Sequence, residues 1–158
     1  MNEGTCINYV VNRLKKLPGG DKIHSQSMTF GSRSFAGTPD RYFDGPGGDL
    51  WAEFKYLPSI PRSGIVGGTD EKKQGHYRAK QTAWLERRYY NNRTPEGSST
   101  GHASGMWVQH RRVFGFVFLP DNTVAIHSAP NQWRFGSPIA NAVPRVDVVD
   151  MLHRLLTI

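Results

Sequence analysis

Asp40, at the end of Gly37-Thr38-Pro39-Asp40, is followed shortly by Glu53-Phe54-Lys55. Two carboxylates can hold a divalent ion that keeps part of its water shell and also takes a phosphate oxygen. A lysine beside them can hold or deprotonate the attacking water and offset the charge that builds on the phosphate. Those three side chains together describe a phosphodiesterase site. Either half alone recurs by chance, because Pro-Asp is a common turn dipeptide and Glu-x-Lys a common exposed strand face. The combination, with a glycine turn between the halves, sets the chemical reading level with the structural one, and the helix that follows tips the balance.

The elements that must position them can be read from the same stretch. Leu50 to Leu57 is rich in aromatic and apolar residues, with glycines before it and Pro58 after, which predicts a strand. Side chains alternate along a strand, so Glu53 and Lys55 share one face and Ala52 and Phe54 the other. Phe30 to Phe43 supplies a partner strand running into Asp40, and Gly45-Pro46-Gly47-Gly48 turns the chain between them. Tyr77 to Tyr90 lacks Gly and Pro and predicts a helix. Tyr77, Gln81, Trp84, Leu85 and Arg88 fall on one face of it. A glutamine in that aromatic stripe is either a rim residue of the core or a polar group delivered to the metal pocket.

Gly37-x-Pro39-Asp40, Glu53-x-Lys55 and a helix carrying Gln81-x-x-Trp84-Leu85 resemble the PD-(D/E)xK nuclease superfamily. More narrowly, the pattern is similar to the virus-type replication–repair nuclease (VRR-NUC) domains. The resemblance covers Gly37 to about Arg88. It implies a single restriction-endonuclease-like α/β domain over residues 1–158, with a mixed central sheet flanked by helices. It also implies Mg²⁺ or Mn²⁺ on Asp40 and Glu53, a catalytic Lys55, and a functional role for Gln81. Glu3 is the candidate for an additional acidic residue on a first helix. Compact relatives of this kind resemble dimeric junction-cleaving enzymes of viral origin. The expected activity is therefore a metal-dependent DNA endonuclease selective for branched DNA, such as a Holliday junction, working as a homodimer. Two symmetric cuts need two sites.

Composition fits such an enzyme. A chain of 158 residues makes one domain with a real core. Hydrophobic residues at 37% and aromatics at 11% exclude a disordered tail. A lone cysteine, Cys6, excludes an internal disulfide framework and a cysteine-based zinc site. No apolar run approaches the length of a membrane span and no signal peptide is present, so a cytoplasmic protein is expected, in a host cytoplasm if viral.

Net charge is +7 and unevenly spread. Lys72, Lys73, His76, Arg78 and Lys80 open the glutamine helix and Arg87 and Arg88 close it, a basic face suited to nucleic acid. Exposed lysines and arginines also merely solvate helices, so the charge counts only beside a phosphate pocket. A non-catalytic nucleic-acid-binding module with a nuclease-like fold is the alternative; Trp51, Tyr56 and Trp107 would then stack bases. Against it, such a module has no reason to keep Asp40, Glu53 and Lys55 together. The six histidines show no metal-ligand spacing, and no glycine run carries the Lys-Ser/Thr of a phosphate loop.

The remaining pattern predicts a helix over Glu3–Leu17 with Ile7, Val10, Val11 and Leu14 inward, and a strand over Lys22–Phe30. Loops are expected over Pro58–Gly68 and Asn91–Gly105. A hairpin should join Val113–Leu119 to Thr123–Ser128, and a helix should span Val146–Leu156 with Val148, Val149, Leu152 and Leu155 or Leu156 inward. Apolar residues of the hairpin and this helix exceed what one small sheet covers, which would supply a dimer interface.

Overall fold

The computed structural model describes residues 1–30, 33–34, 39–67, 77–91, 112–128 and 137–158. Helix α1, Glu3–Lys16, begins where the Asn2 side chain accepts hydrogen bonds from the Thr5 amide (2.9 Å) and hydroxyl (3.0 Å). Its last turn carries Arg13, Lys15 and Lys16, which complement the carbonyl end of the helix. The buried line is Cys6, Val10 and Leu14, with Ile7 and Val11 at its borders. The apolar pattern alone had centred the stripe one residue off, because the thiol of Cys6 is small and packs as an apolar group.

A 3₁₀ turn at Gly20–Lys22 precedes β1, His24–Ser27, which is shorter than expected. Beyond it, β2, Thr29–Phe30, pairs with β3, Arg33–Ser34, as a small separate ladder. Strand β4 spans Arg41–Gly45 and β5 Gly48–Tyr56, joined at Pro46-Gly47 as the glycine run had indicated. Strand β4 starts just after Asp40 rather than running into it. Pro39 has no amide hydrogen to give a ladder, and the Asp40 carboxylate takes the Phe54 amide at 2.8 Å, a bond formed by a side chain.

Pro58 to Gly64 is irregular, but its far end is tied: β6, Ile65–Val66, pairs with a later β9, Ser137–Pro138. Helix α2 spans Ala79–Asn91, so Tyr77 and Arg78 lie just ahead of it. Strand β7, Val113–Phe118, and β8, Thr123–His127, form the expected hairpin, with Asn122 in the left-handed region (φ 67°). Strand β10, Val143–Pro144, leads directly into α3, Arg145–Thr157. The expected Asn91–Gly105 loop lies, apart from Asn91, outside the described residues.

The result is a mixed α/β architecture: a six-stranded sheet in the order β1-β4-β5-β7-β8-β10, with three α-helices among the described residues. All its pairings are antiparallel except β5 with β7. A parallel pair needs a crossover, and α2 lies on it. One face packs Leu50, Ala52, Phe54, Phe116 and Phe118 against Cys6, Val10 and Leu14 of α1 and Val148 and Leu152 of α3. On the other face, Leu57, Val113, Val117, Leu119 and Ala125 meet Tyr77 and Leu85.

Two expectations are corrected by this packing. The hairpin's Val113, Phe116, Val117, Phe118, Leu119, Val124 and Ala125 and the helix's Val148, Val149, Leu152 and Leu156 are buried in the chain's own core. The fold itself thus accounts for most of the apolar side chains on these elements, while Val146 at the start of α3 stays exposed. Trp51 and Tyr56 are half-buried rather than free stacking platforms: Trp51 packs between Tyr42 and Trp84, with ring centroids 4.7 and 5.0 Å away. Trp107 lies outside the described residues. Among those residues no helix is long and apolar enough to cross a membrane.

Candidate active site

The pairing of β4 with β5 sets Arg41 opposite Ala52, so continuing that register by one residue places Asp40 opposite Glu53. On its other side Glu53 faces Gly115 of β7. Lys55, two residues along β5, shares the Glu53 face. The lysine Nζ lies 2.6 Å from Glu53 Oε1. Glu3, at the start of α1, reaches the same lysine with Oε1 3.8 Å from Nζ and is half exposed.

Gln81 comes from the first turn of α2. Its Oε1 accepts from the Arg78 amide at 2.9 Å and its Nε2 donates to Glu53 Oε1 in a short hydrogen bond. The backbone donor fixes which end of the amide faces the sheet, so Gln81 can only donate to Glu53. Glu53 Oε1 thus takes two donors. Its Oε2 is buried and has no hydrogen-bond partner among the described residues.

Charge in this pocket is expensive. Glu53 has no exposed surface and Lys55 only 7%. Burial pushes the Glu53 carboxyl up to about 8; the neighbouring Asp40 charge adds to this, against the pull of Lys55. Asp40 is raised by burial as well, in spite of its bond from the Phe54 amide. For Lys55, burial opposes the charge, but Glu53, Glu3 and Asp40 together outweigh it and the ammonium is held above its ordinary range. Lys55 therefore keeps its proton at neutral pH, and both carboxyls are held above their ordinary range.

A cation is the natural relief for such a pair. Mg²⁺ binds through one or two carboxylates and retains water on its other positions. The buried, partnerless Oε2 of Glu53 and the carboxyl of Asp40, on facing positions of the ladder, fit that donor set. Among the described residues, no group of three or more His, Cys, Asp or Glu side chains is gathered as a cage.

The structure thus brings together Asp40, Glu53, Lys55, Gln81 and, at the rim, Glu3. Of the basic residues expected to meet nucleic acid, Arg78, Lys80 and Arg87 are exposed at or near α2. Arg88 has its backbone in that helix. Lys72, Lys73 and His76 lie outside the described residues.

Sequence reasoning missed a pair beside the site. Tyr77 and His127 are both fully buried, with Tyr77 Oη 2.5 Å from His127 Nδ1. The signal was Gly115, an isolated glycine within the strand Val113-Phe114-Gly115-Phe116-Val117-Phe118. Glycine inside a strand often marks close approach of another group, and a Cβ there would overlap the Tyr77 hydroxyl.

No family model matches this chain, and no curated protein or solved structure matches it. What the fold and the site define is a mixed α/β protein whose central sheet carries a buried carboxylate–lysine–amide cluster.

Proposed function

We propose that this protein is a divalent-metal-dependent nuclease of PD-(D/E)xK type, on a restriction-endonuclease-like fold, that hydrolyses phosphodiester bonds in DNA. The observation that carries the reading is Glu53: wholly buried, one oxygen held by two donors and the other left without a partner, on the strand position that faces Asp40. A carboxylate oxygen buried that way without a partner costs stability.

Asp40 and Glu53 would hold Mg²⁺ or Mn²⁺, which supplies Lewis-acid charge beside the scissile phosphate. Lys55 and Gln81 fix the rotation of the Glu53 carboxylate so that Oε2 is the oxygen presented. Lys55, whose ammonium is held above the usual range, would orient the attacking water and stabilise charge building on the phosphate. Glu3 keeps that ammonium near the pocket. Arg78, Lys80 and Arg87 add sequence-independent attraction for the phosphate backbone.

The decisive experiment incubates linear, nicked, flap and four-way DNA with the protein in Mg²⁺, Mn²⁺ or chelator. Cleavage should require the metal. Asp40→Ala and Glu53→Ala should reduce it to background with DNA binding largely kept, and Lys55→Ala should lose turnover while Mn²⁺ still binds. Full cleavage by Asp40→Asn would refute the assignment. DNA binding without metal-dependent cleavage would support the binding-module alternative instead. The expected preference for branched DNA, cut by a symmetric dimer, requires faster cleavage of the four-way substrate and a dimeric mass by light scattering.

A further inference from the structure

Tyr77 and His127 are two buried polar side chains that no step above uses. They stand one strand and two strands away from Glu53, in line with it. Glu53 pairs with Gly115, and Gly115 pairs with His127, so the three positions form one row across β5, β7 and β8. Gly115 has no side chain, and the Tyr77 ring occupies the space above it. The Tyr77 hydroxyl meets His127 Nδ1 at 2.5 Å, and the two rings stand edge-on at 5.4 Å between centroids. The far side of the imidazole abuts Gly67, where a Cβ would come within 2.6 Å of the ring. Gly67 itself has φ +80°, a conformation that glycine adopts at little cost. Two glycines thus clear the room that this pair fills.

The location of Tyr77 in the chain gives the pair its reach. The next residue, Arg78, presents the amide that holds Gln81 Oε1, and its carbonyl accepts from the Thr82 amide at 2.9 Å. A continuous path therefore runs from His127 through Tyr77 and the Arg78 backbone to Gln81 and on to Glu53 Oε1. We propose that Tyr77 and His127 are positioning residues. They pin the chain ahead of α2 to the sheet so that the Gln81 amide is held donor-first against Glu53, leaving Oε2 to the cation. In its catalytic consequence, this inference rests on the nuclease reading above.

The pair fills space as well, so a loss of stability alone would not distinguish the two roles. The test uses Tyr77→Phe, His127→Leu and His127→Asn, with Val148→Ala on the opposite face as a control for lowered stability. Asn places an amide oxygen near the position of Nδ1 and should rescue what Leu loses. The first readout needs neither metal nor substrate: the side-chain amide NMR resonances of Gln81, which report its hydrogen bond to Glu53. They should move toward solvent-exposed amide values in Tyr77→Phe and His127→Leu, and stay in place in His127→Asn and Val148→Ala. The second is Mn²⁺ affinity and cleavage well below each melting temperature. Loss of an outer partner of a metal ligand typically costs about 10–100-fold, so Mn²⁺ affinity and kcat should each fall about ten-fold or more with KM nearly unchanged. Gln81 resonances unmoved by Tyr77→Phe would overturn the positioning role. If they move while wild type neither binds Mn²⁺ nor cleaves DNA, positioning stands and the nuclease reading falls.

Discussion

Replacing Glu53 by Gln should make the metal-free protein more stable at high pH and leave it nearly unchanged at low pH. The Glu53 carboxyl titrates at about 8 when folded, against 4.5 ordinarily. Between those values the folded chain binds a proton that the unfolded chain has released, so stability falls as pH rises through the window and levels off above it. Each decade of pH is worth about 1.4 kcal/mol, so the span amounts to something on the order of 4 to 5 kcal/mol. Glutamine has nearly the shape of the protonated carboxyl and can still accept from Lys55 and Gln81, but it does not titrate. His127 is lowered to about 4 by burial and loses stability in the opposite direction, as pH falls below 6.5. It is present in both proteins, and their difference removes it. Urea denaturation in chelator at pH 5, 6.5 and 8.5 gives that difference directly. The Glu53→Gln protein should gain several kcal/mol over wild type between the first and last pH. Parallel curves would refute the claim that a buried, underpaired carboxyl sits in this site. Excess Mg²⁺ at pH 8.5 should then stabilise wild type and not the variant.

Two further outcomes follow from the same geometry. Gln81→Ala removes a donor to Glu53 from the half-buried face of α2, and should slow cleavage ten-fold or more, by about the 10–100-fold typical of such partners, with only a small shift in melting temperature; equal losses of rate and stability would make Gln81 a core residue. Gly115→Ala forces a methyl group into the Tyr77 hydroxyl and should cost roughly 1–3 kcal/mol in chemical denaturation; an unchanged midpoint would mean that Tyr77 does not lie on that glycine.

Much of the frame around the candidate site is local and was legible for that reason. Alternation along β5 puts Glu53 and Lys55 on one face, and the Gly45 to Gly48 run sets the hairpin that brings Asp40 alongside. The α2 stripe turns Gln81 inward by helical spacing alone. What could not be read was non-local. The carboxylate of Asp40 accepts from the Phe54 amide, and β4 begins only at Arg41 where a strand over Phe30 to Phe43 was expected. Tyr77 and His127 are 50 positions apart, and no periodicity links them. The hairpin and α3 looked over-supplied with apolar residues because the pattern does not reveal that helices cover one face of the sheet at both ends of the chain. The pairing of β6 with β9 was hidden by the two-residue length of each strand.

The β4–β5 turn has a consequence for how the protein is made. The Gly47 amide bonds to the Leu156 carbonyl at 2.8 Å, and Arg112 Nη1 donates both to the Gly47 carbonyl, at 2.9 Å, and to the Leu155 carbonyl. A Cβ on Gly45 would overlap the Leu156 carbonyl. The hairpin that carries the carboxylates is thus latched by residues synthesised about a hundred positions later, roughly 5 to 20 s at ordinary translation rates. β5 lacks its parallel neighbour until β7 has left the ribosome, and the turn lacks its partners until α3 has followed. Contacts so distant in sequence close late, so the pocket around Glu53 would be completed only after α3 had emerged and docked on the turn.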